Sequence, residues 1–350
     1  MMKGVSLFSS AGIAEIYLKE LGIDMVVANE LLPKRAMLHE WLYPNCKMIV
    51  GDIKEKFSQI YDEVKLNDCK FLLATPPCQG MSSLGKKEYY DDERNYLIFN
   101  VFDLIDNHNF DYILIENVPK FLKLYFPYKG EYKLLIDIVK DKYAKKYNID
   151  YFILNAKDYG VAQSRPRGFI KIWNKNLKWD NPIKQKEITL QEAIGDLPTL
   201  ESGQTSGIKW HNAKIHNDRE ILALRHTPTG KSAMKNEIYY PKKANGEKII
   251  GFHNTYKRMK WNEPCPARAM NNGNMGGHNN VHPGRLLDDG TYSDARVLTL
   301  RELFIVSSLP ADWDLPEWCS DTLIRTVIGE AIPPMFCKNI IKGIKNDYTK

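Results

Sequence analysis

Cys78 stands in the run Thr75-Pro76-Pro77-Cys78-Gln79-Gly80, directly after the apolar residues 71–74. A cysteine thiolate is a nucleophile, and the carboxyl ends of strands are where open α/β sheets bind ligands. Four other polar features follow short apolar runs in the same way. Residues 5–8 lead into Ser9-Ser10-Ala11-Gly12, small residues that let a backbone approach a ligand. Glu30 lies 18 residues beyond Gly12, about the spacing at which an acid reaches a nucleotide ribose. Gly51-Asp52-Ile53 offers an acceptor for an amino group, and Glu116-Asn117-Val118-Pro119 offers a second carboxyl group. Singly, each is weak: a lone cysteine is usually a small buried hydrophobe, and an acid at a strand end is usually a cap. Together they make a nucleoside pocket beside a thiol nucleophile.

Those residues need a scaffold. Strands are expected at 5–8, 25–28, 48–50, 71–74, 112–115, 151–154 and 169–173. Helices are expected at 15–21, 34–41, 97–108 and 132–147. Alternation of the two predicts an α/β fold with a doubly wound, mostly parallel sheet. The pattern fails over 176–290, where Pro, Gly, Asn and Lys rise, and resumes after Asp294. The expected division is a catalytic, cofactor-binding domain at 1–175 and 291–350 around a smaller inserted domain at 176–290.

Composition narrows the function. The chain has 350 residues, 43% apolar and 26% charged, enough to bury a core and too apolar for disorder. No run approaches the roughly 18 apolar residues of a membrane span, and no secretory leader is expected. The six cysteines contain no CxxC pair and read as reduced thiols. His278 and His282 sit in a Gly/Asn-rich stretch and do not read as a metal site, so no metal is expected.

The formal charge of +6 is unevenly distributed. From Arg225 to Arg285 there are 11 basic and three acidic side chains, net +8, which leaves −2 for the rest. A basic segment interleaved with Tyr239, Tyr240, Phe252, Tyr256 and Trp261 fits a polyanionic partner. A solvated lysine-rich surface is the plainer reading. Residues 268–280 hold five asparagines, three glycines and no acid, a composition suited to base edges or simply to turns.

In order, the motifs resemble those of the bacterial restriction–modification DNA cytosine-5 methyltransferases, over nearly the whole chain. Phe8-Ser9-Ser10-Ala11-Gly12 resembles the Phe-x-Gly-x-Gly cofactor turn, with Ser10 in place of the first glycine. A negative φ at Ser10 would preserve close approach. Pro77-Cys78-Gln79, Glu116-Asn117-Val118 and Gln163-Ser164-Arg165-Pro166-Arg167 match Pro-Cys-Gln, Glu-Asn-Val and Gln-x-Arg-x-Arg. Arg94-Asn95-Tyr96-Leu97 resembles the end of the catalytic loop. Arg296-Val297-Leu298-Thr299-Leu300-Arg301-Glu302 and Gly329-Glu330-Ala331-Ile332-Pro333 resemble the two closing motifs, with Glu330 replacing asparagine.

The resemblance implies a Rossmann-like, S-adenosylmethionine-dependent methyltransferase core, with 176–290 as target-recognition domain. It implies Cys78 as nucleophile toward cytosine C6, Glu116 at the N3/N4 edge, and Arg165 with Arg167 at O2. The cofactor would meet Phe8, Ser10, Ala11, Gly12, Glu30, Leu31, Asp52, Ile53, Pro77, Leu97 and Ala331, and leave as S-adenosylhomocysteine. Double-stranded DNA, its target base flipped out, would meet Ser82, Lys86, Lys87, Arg94, Lys257, Arg258, Lys260, Arg268, Asn271, Asn272 and Asn274. The long 80–94 connection suits a lid. A cytoplasmic, DNA-associated monomer is expected, with any cognate restriction endonuclease acting separately. Three alternatives stay open: an RNA cytosine-5 methyltransferase, an NAD-dependent dehydrogenase, and a DNA-binding relative without turnover.

Overall fold

The computed structural model describes residues 1–77 and 92–345. Cys78, Ser82, Lys86 and Lys87 lie outside the described residues. The chain divides into two compact units. The first comprises Met1–Asn155, Pro166–Lys184 and the chain from Phe336 on; the second comprises Ala156–Arg165 and Gln185–Met335.

The first unit is built on seven strands: β1 (Met2–Leu7), β2 (Ile23–Glu30), β3 (Lys47–Val50), β4 (Phe71–Ala74), β5 (Tyr112–Asn117), β6 (Tyr147–Asn155) and β7 (Pro166–Asn174). They stand in the order β3-β2-β1-β4-β5-β7-β6. β1 to β5 are mutually parallel, and β7 runs antiparallel to both β5 and β6. All seven expected strands are present. β5 shows why they were legible: Tyr112 to Ile115 are at most 1% exposed, and a strand covered on both faces must be apolar throughout.

Helices cover both faces. Val5, Leu7, Val27, Ile49, Ile113 and Ile115 share a core with α2 (Ile53–Leu66), α3 (Ile98–Asn107) and α4 (Leu135–Tyr143). On the other face, Ala28 and Met48 pack with Ala36 of α1 (Pro33–Leu42) and with Tyr43. Phe169 of β7 meets Phe336 edge-on at 5.2 Å. Each fully buried side chain of this kind stabilises the fold by about 1.5–3 kcal/mol.

Two helical expectations need correction, and one helix was not expected. Residues 15–21 form two 3₁₀ turns, Ile13–Glu15 and Lys19–Leu21, not an α-helix. The bonds Glu15 N–H to Gly12 O, Leu18 N–H to Glu15 O and Leu21 N–H to Leu18 O advance three residues at a time. A 3₁₀ turn rises about 2.0 Å per residue against about 1.5 Å, so this short crossover reaches the start of β2. The helix expected at 132–147 is only α4, because 131–134 pairs with 125–128 as a hairpin. α2 was not anticipated; Asp52 caps it, accepting the Lys54 N–H at 2.8 Å.

The second unit has short elements: α5 (Leu190–Ile194), α6 (Asp218–Arg225), α7 (Leu300–Val306) and α8 (Asp321–Glu330). The boundary differs from expectation, since 291–335 belong to this unit. The reason is a buried charge network. Arg296, 0% exposed, donates to both Glu302 oxygens at 2.8 and 2.9 Å, to Asp294 at 2.7 Å, and to the Leu200 and Val297 carbonyls. Five N–H groups thus meet five acceptors. His282 lies beside it, 3.8 Å from Asp294 and 3.6 Å from Glu302.

This network makes the unit acid-sensitive. Burial, helped by Arg296, pushes His282 down to about 4 from an ordinary 6.5. Burial raises the Glu302 carboxyl, but Arg296 and His282 outweigh it and hold it at about 2, below the ordinary 4.5. Both groups bind more protons when unfolded, so stability falls as pH falls. The loss should begin near pH 6.5 through His282 and continue from pH 4.5 toward 2 through Glu302. Thermal unfolding from pH 8 to 4 checks this, with a melting temperature that drops below pH 6.5. Glu302→Gln keeps the helix cap but leaves a buried Arg296 charge without its partner, and should cost about 3 kcal/mol in denaturant unfolding.

Candidate active site

The five parallel strands deliver their carboxyl ends to one edge, and side chains there cross-link the loops. Ser9 N–H donates to Asn29 O at 3.0 Å. Asn29 Nδ2 donates to the Ile49 and Gly51 carbonyls at 2.8 and 3.1 Å. Thr75 Oγ1 donates to Phe8 O at 3.0 Å. Asn117 Nδ2 donates to Pro76 O at 3.1 Å, while its Oδ1 accepts the Val118 N–H at 2.8 Å. The end of β5 therefore holds the backbone two residues before Cys78.

Glu30 is 5% exposed. Its two oxygens accept the Ser10 N–H at 2.9 Å and the Leu32 N–H at 2.8 Å. Those bonds orient the carboxylate as a fixed acceptor. Leu31 beside it is 57% exposed, an apolar shelf next to the acid. Asp52 spends Oδ1 on its helix cap and keeps Oδ2 without a bond among the described residues. Phe8, Pro77 and Leu97 are half-buried, whereas Ala11 and Ile53 are packed into the protein itself.

Ser10 corrects one expectation: its φ is +49°, and Phe8 stands at +59°. Both occupy the left-handed region at a cost in strain, and the Glu30 carboxylate secures the turn at Ser10. Gly12 is required twice over. Its φ is +71°, and a Cβ there would lie 2.4 Å from Tyr43 Cε2 and 2.8 Å from His39 Cδ2. Behind it His39 and Glu15 form a buried pair at 3.3 Å that the sequence reading missed.

Glu116 is 7% exposed and binds Arg167 Nε at 2.9 Å. Carboxylate and guanidinium thus stand together at the ends of β5 and β7. Arg165 belongs to the second unit, is 2% exposed and donates to the Arg268 and Gly329 carbonyls there at 2.7 and 2.9 Å. Ala331 also lies in the second unit, as the C-cap of α8. The described cysteines are poor nucleophiles. Burial raises the thiols of Cys46, Cys265, Cys319 and Cys337, and pushes Cys69 up to about 12.

Three expected DNA contacts are corrected. Arg258 is 0% exposed and donates to the Leu224, His282, Asp294 and Tyr292 carbonyls. Arg268 is 2% exposed and holds the carbonyls of Pro266 and Asn279 and the Asn280 amide. Asn272 is 2% exposed and bonds Ala269 O and Arg325. A guanidinium or amide sheathed by such acceptors shapes the loop and does not reach a ligand. Lys257 is half-buried, Lys260 is exposed and paired with Glu263, and Asn271 and Asn274 are exposed. Arg94 is exposed but held by Asp92 through two bonds, at 2.8 and 2.6 Å. His278 bonds Asn254.

The strand order and flanking helices define a Rossmann-like methyltransferase fold. Residues 2–346 match the family model of C-5 cytosine-specific DNA methylases. The chain is 46% identical over 350 residues to the Type II methyltransferase M1.HgaI of Avibacterium volantium, covering 98% of both chains. Among solved structures it resembles an E. coli prophage-encoded protein described as a DNA modification methyltransferase, with TM-score 0.70, 19% identity and 98% of each chain covered. The Entamoeba histolytica methyltransferase EhMeth is similar at TM-score 0.64 and 13% identity, over 97% of this chain and 96% of that one. At such identities these two show the fold alone. The chain belongs to the C-5 cytosine-specific DNA methylase family. Its activity is sequence-specific methylation of cytosine C5 in DNA.

Gly12→Ala should destabilise the first unit by about 2 kcal/mol, because it combines left-handed strain with an overpacked core. Urea unfolding of the variant against the native protein measures this.

Proposed function

We propose that the chain methylates one cytosine of a specific duplex sequence through covalent catalysis by Cys78, with S-adenosylmethionine as methyl donor, as the protecting enzyme of a restriction–modification pair. The observation that carries this is the Glu116–Arg167 pair at 2.9 Å, on the strand end whose Asn117 holds Pro76 ahead of Cys78.

Cytosine C5 is a weak carbon nucleophile. Addition of the Cys78 thiolate to C6 moves electron density to N3 and O2 and makes C5 enamine-like. Glu116 protonates or hydrogen-bonds N3 and accepts from N4, and Arg167 offsets charge developing at O2. C5 takes the methyl group, a base removes the C5 proton, and the C6–S bond breaks to return the thiolate. The raised thiols of the other cysteines support Cys78 as the nucleophile. The target base must leave the duplex to expose C6, which costs a few kcal/mol.

The residues present fit the cofactor. When bound, S-adenosylmethionine supplies an electrophilic sulfonium methyl. Glu30, fixed by Ser10 and Leu32, is an acceptor for a ribose diol. Asp52 Oδ2 is an acceptor for an adenine amino group, and Leu31 provides apolar cover. The basic second unit supplies DNA contacts through Lys257, Lys260, Asn271 and Asn274. Among the described residues no helix is long and apolar enough to cross a membrane; a cytoplasmic monomer is the working arrangement, with any endonuclease acting separately.

Nucleoside mass analysis tests the chemistry. Mixed-sequence duplex DNA, and separately RNA, are incubated with S-adenosylmethionine and each protein. Native protein should yield 5-methylcytosine in DNA, Cys78→Ala none, and Glu116→Gln a turnover reduced by at least about a hundredfold with little change in cofactor affinity. Normal turnover by Cys78→Ala would remove the nucleophile assignment, and product in RNA alone would reassign the substrate. Replacing Lys257 and Lys260 by Ala should weaken DNA binding and reduce its salt slope by about 2. Binding isotherms from 50 to 200 mM salt, typical of such work, measure this, and an unchanged slope places those lysines away from phosphates.

A further inference from the structure

A cavity of about 380 Å³ opens within the second unit. Its lining joins Lys214 and His216 to Met270, Asn271, Asn274 and Arg325, residues far apart in sequence. The loop contributing the asparagines is anchored from behind. Asn272 Nδ2 donates to the Ala269 and Arg325 carbonyls, both at 2.8 Å. Asn280 Nδ2 donates to Asn271 O and Asn274 O at 2.9 and 2.8 Å. Gly329 of α8 allows close approach, since a Cβ there would sit 2.2 Å from Ala269 O. Two asparagines thus hold the loop, and Asn271 and Asn274 keep their side chains exposed.

The exposed groups are mostly donors. Asn274 Oδ1 accepts the Gly276 N–H at 2.8 Å, which leaves Nδ2 to face a ligand. His216 Nε2 accepts the Val297 N–H at 3.3 Å, which places the ring proton on Nδ1. Burial, with the cations Lys214, Arg325 and Arg296, pushes His216 down to about 4, so the ring is neutral at pH 7. Its Nδ1 has no hydrogen bond among the described residues, and the residue is half-buried in the cavity wall. Two acceptors of the lining are engaged: Glu220 Oε1 takes the Tyr256 hydroxyl at 2.8 Å, and Asn217 Oδ1 takes the Arg219 N–H at 3.0 Å. Arg325 is spent on Asp321, Asn272 and Leu298.

A cavity offering His216 Nδ1–H and Asn274 Nδ2, with Lys214 Nζ beside them 3.7 Å from Asp321, suits two adjacent acceptors. In the major groove guanine presents O6 and N7 together, whereas adenine pairs its N7 with an amino donor. We propose that this cavity receives the major-groove edge of a guanine in the target sequence, and that His216 is a specificity-determining residue that donates to it. The inference rests on the reading of the second unit as the DNA-reading part.

Two substitutions separate reading from folding. His216→Gln retains an acceptor for Val297 and removes the Nδ1 donor. His216→Asn retains a donor near Nδ1 and gives up the Val297 bond. Each protein methylates a duplex library randomised around cytosine, with S-adenosylmethionine, and the modified sites are sequenced after bisulfite treatment. Melting temperatures are measured in parallel. His216→Gln should relax the preference at one guanine position about tenfold with its melting temperature held. His216→Asn should keep that preference and melt lower. An unchanged site profile for His216→Gln overturns the inference alone, as does relaxation at a position that is not guanine or equal relaxation by His216→Asn. Absence of 5-methylcytosine with native protein overturns the underlying reading, and the inference with it.

Discussion

Parallel pairing is the constraint on which this site depends. It brings the carboxyl ends of β1 to β5 to one edge and leaves strand-end backbone groups there without ladder partners. Neighbouring side chains supply the missing bonds: Asn29 to Ile49 and Gly51, Thr75 to Phe8, Asn117 to Pro76, and Glu30 to Ser10 and Leu32. One set of bonds therefore completes the sheet edge and fixes the chemistry. Strain at Phe8 and Ser10 is sustained because these bonds over-determine the turn.

The second unit solves a different problem with different physics. Its helices are short, and buried charge does much of the organising. Arg296, Asp294 and Glu302 form a satisfied cluster, and Arg258 is wrapped in carbonyls. Such clusters add little net stability over an apolar core but are intolerant of alternatives, because a broken pair leaves a buried charge. A loop held in a single conformation loses less entropy when it binds a partner. Arg165, Asn272 and Asn280 serve that end.

How far residue type predicts role depends on how local the cause is. β5 was legible because burial on both faces demands an unbroken apolar run. The crossover at 15–21 was misread because an amphipathic pattern does not separate a 3₁₀ turn from an α-helix. Glu116 and Arg167 were legible from their motifs, and the structure joins them. Arg258, Arg268 and Asn272 look like DNA contacts in a basic, asparagine-rich segment. Arg258 is held by carbonyls 24 to 36 positions away and Asn272 by Arg325, 53 positions away, while Arg268 is closed in by its own loop through Pro266, Asn279 and Asn280. A residue's type does not encode these closures.

The sequence by itself determined the strands, the methyltransferase-type sheet, the ordered motifs and the segment where positive charge is concentrated. These follow from hydrophobic periodicity and from chemistry that needs particular residue types. Only the tertiary structure decided which of several similar side chains is free to act. It spent Arg165 on carbonyls while setting Arg167 against Glu116. It buried Asn272 while exposing Asn271, and it brought His216 to a loop 55 residues beyond it. The physical reason is that hydrogen-bond capacity is finite. A group satisfied inside the fold has little left for a ligand, and the partners that satisfy it are supplied by the whole chain.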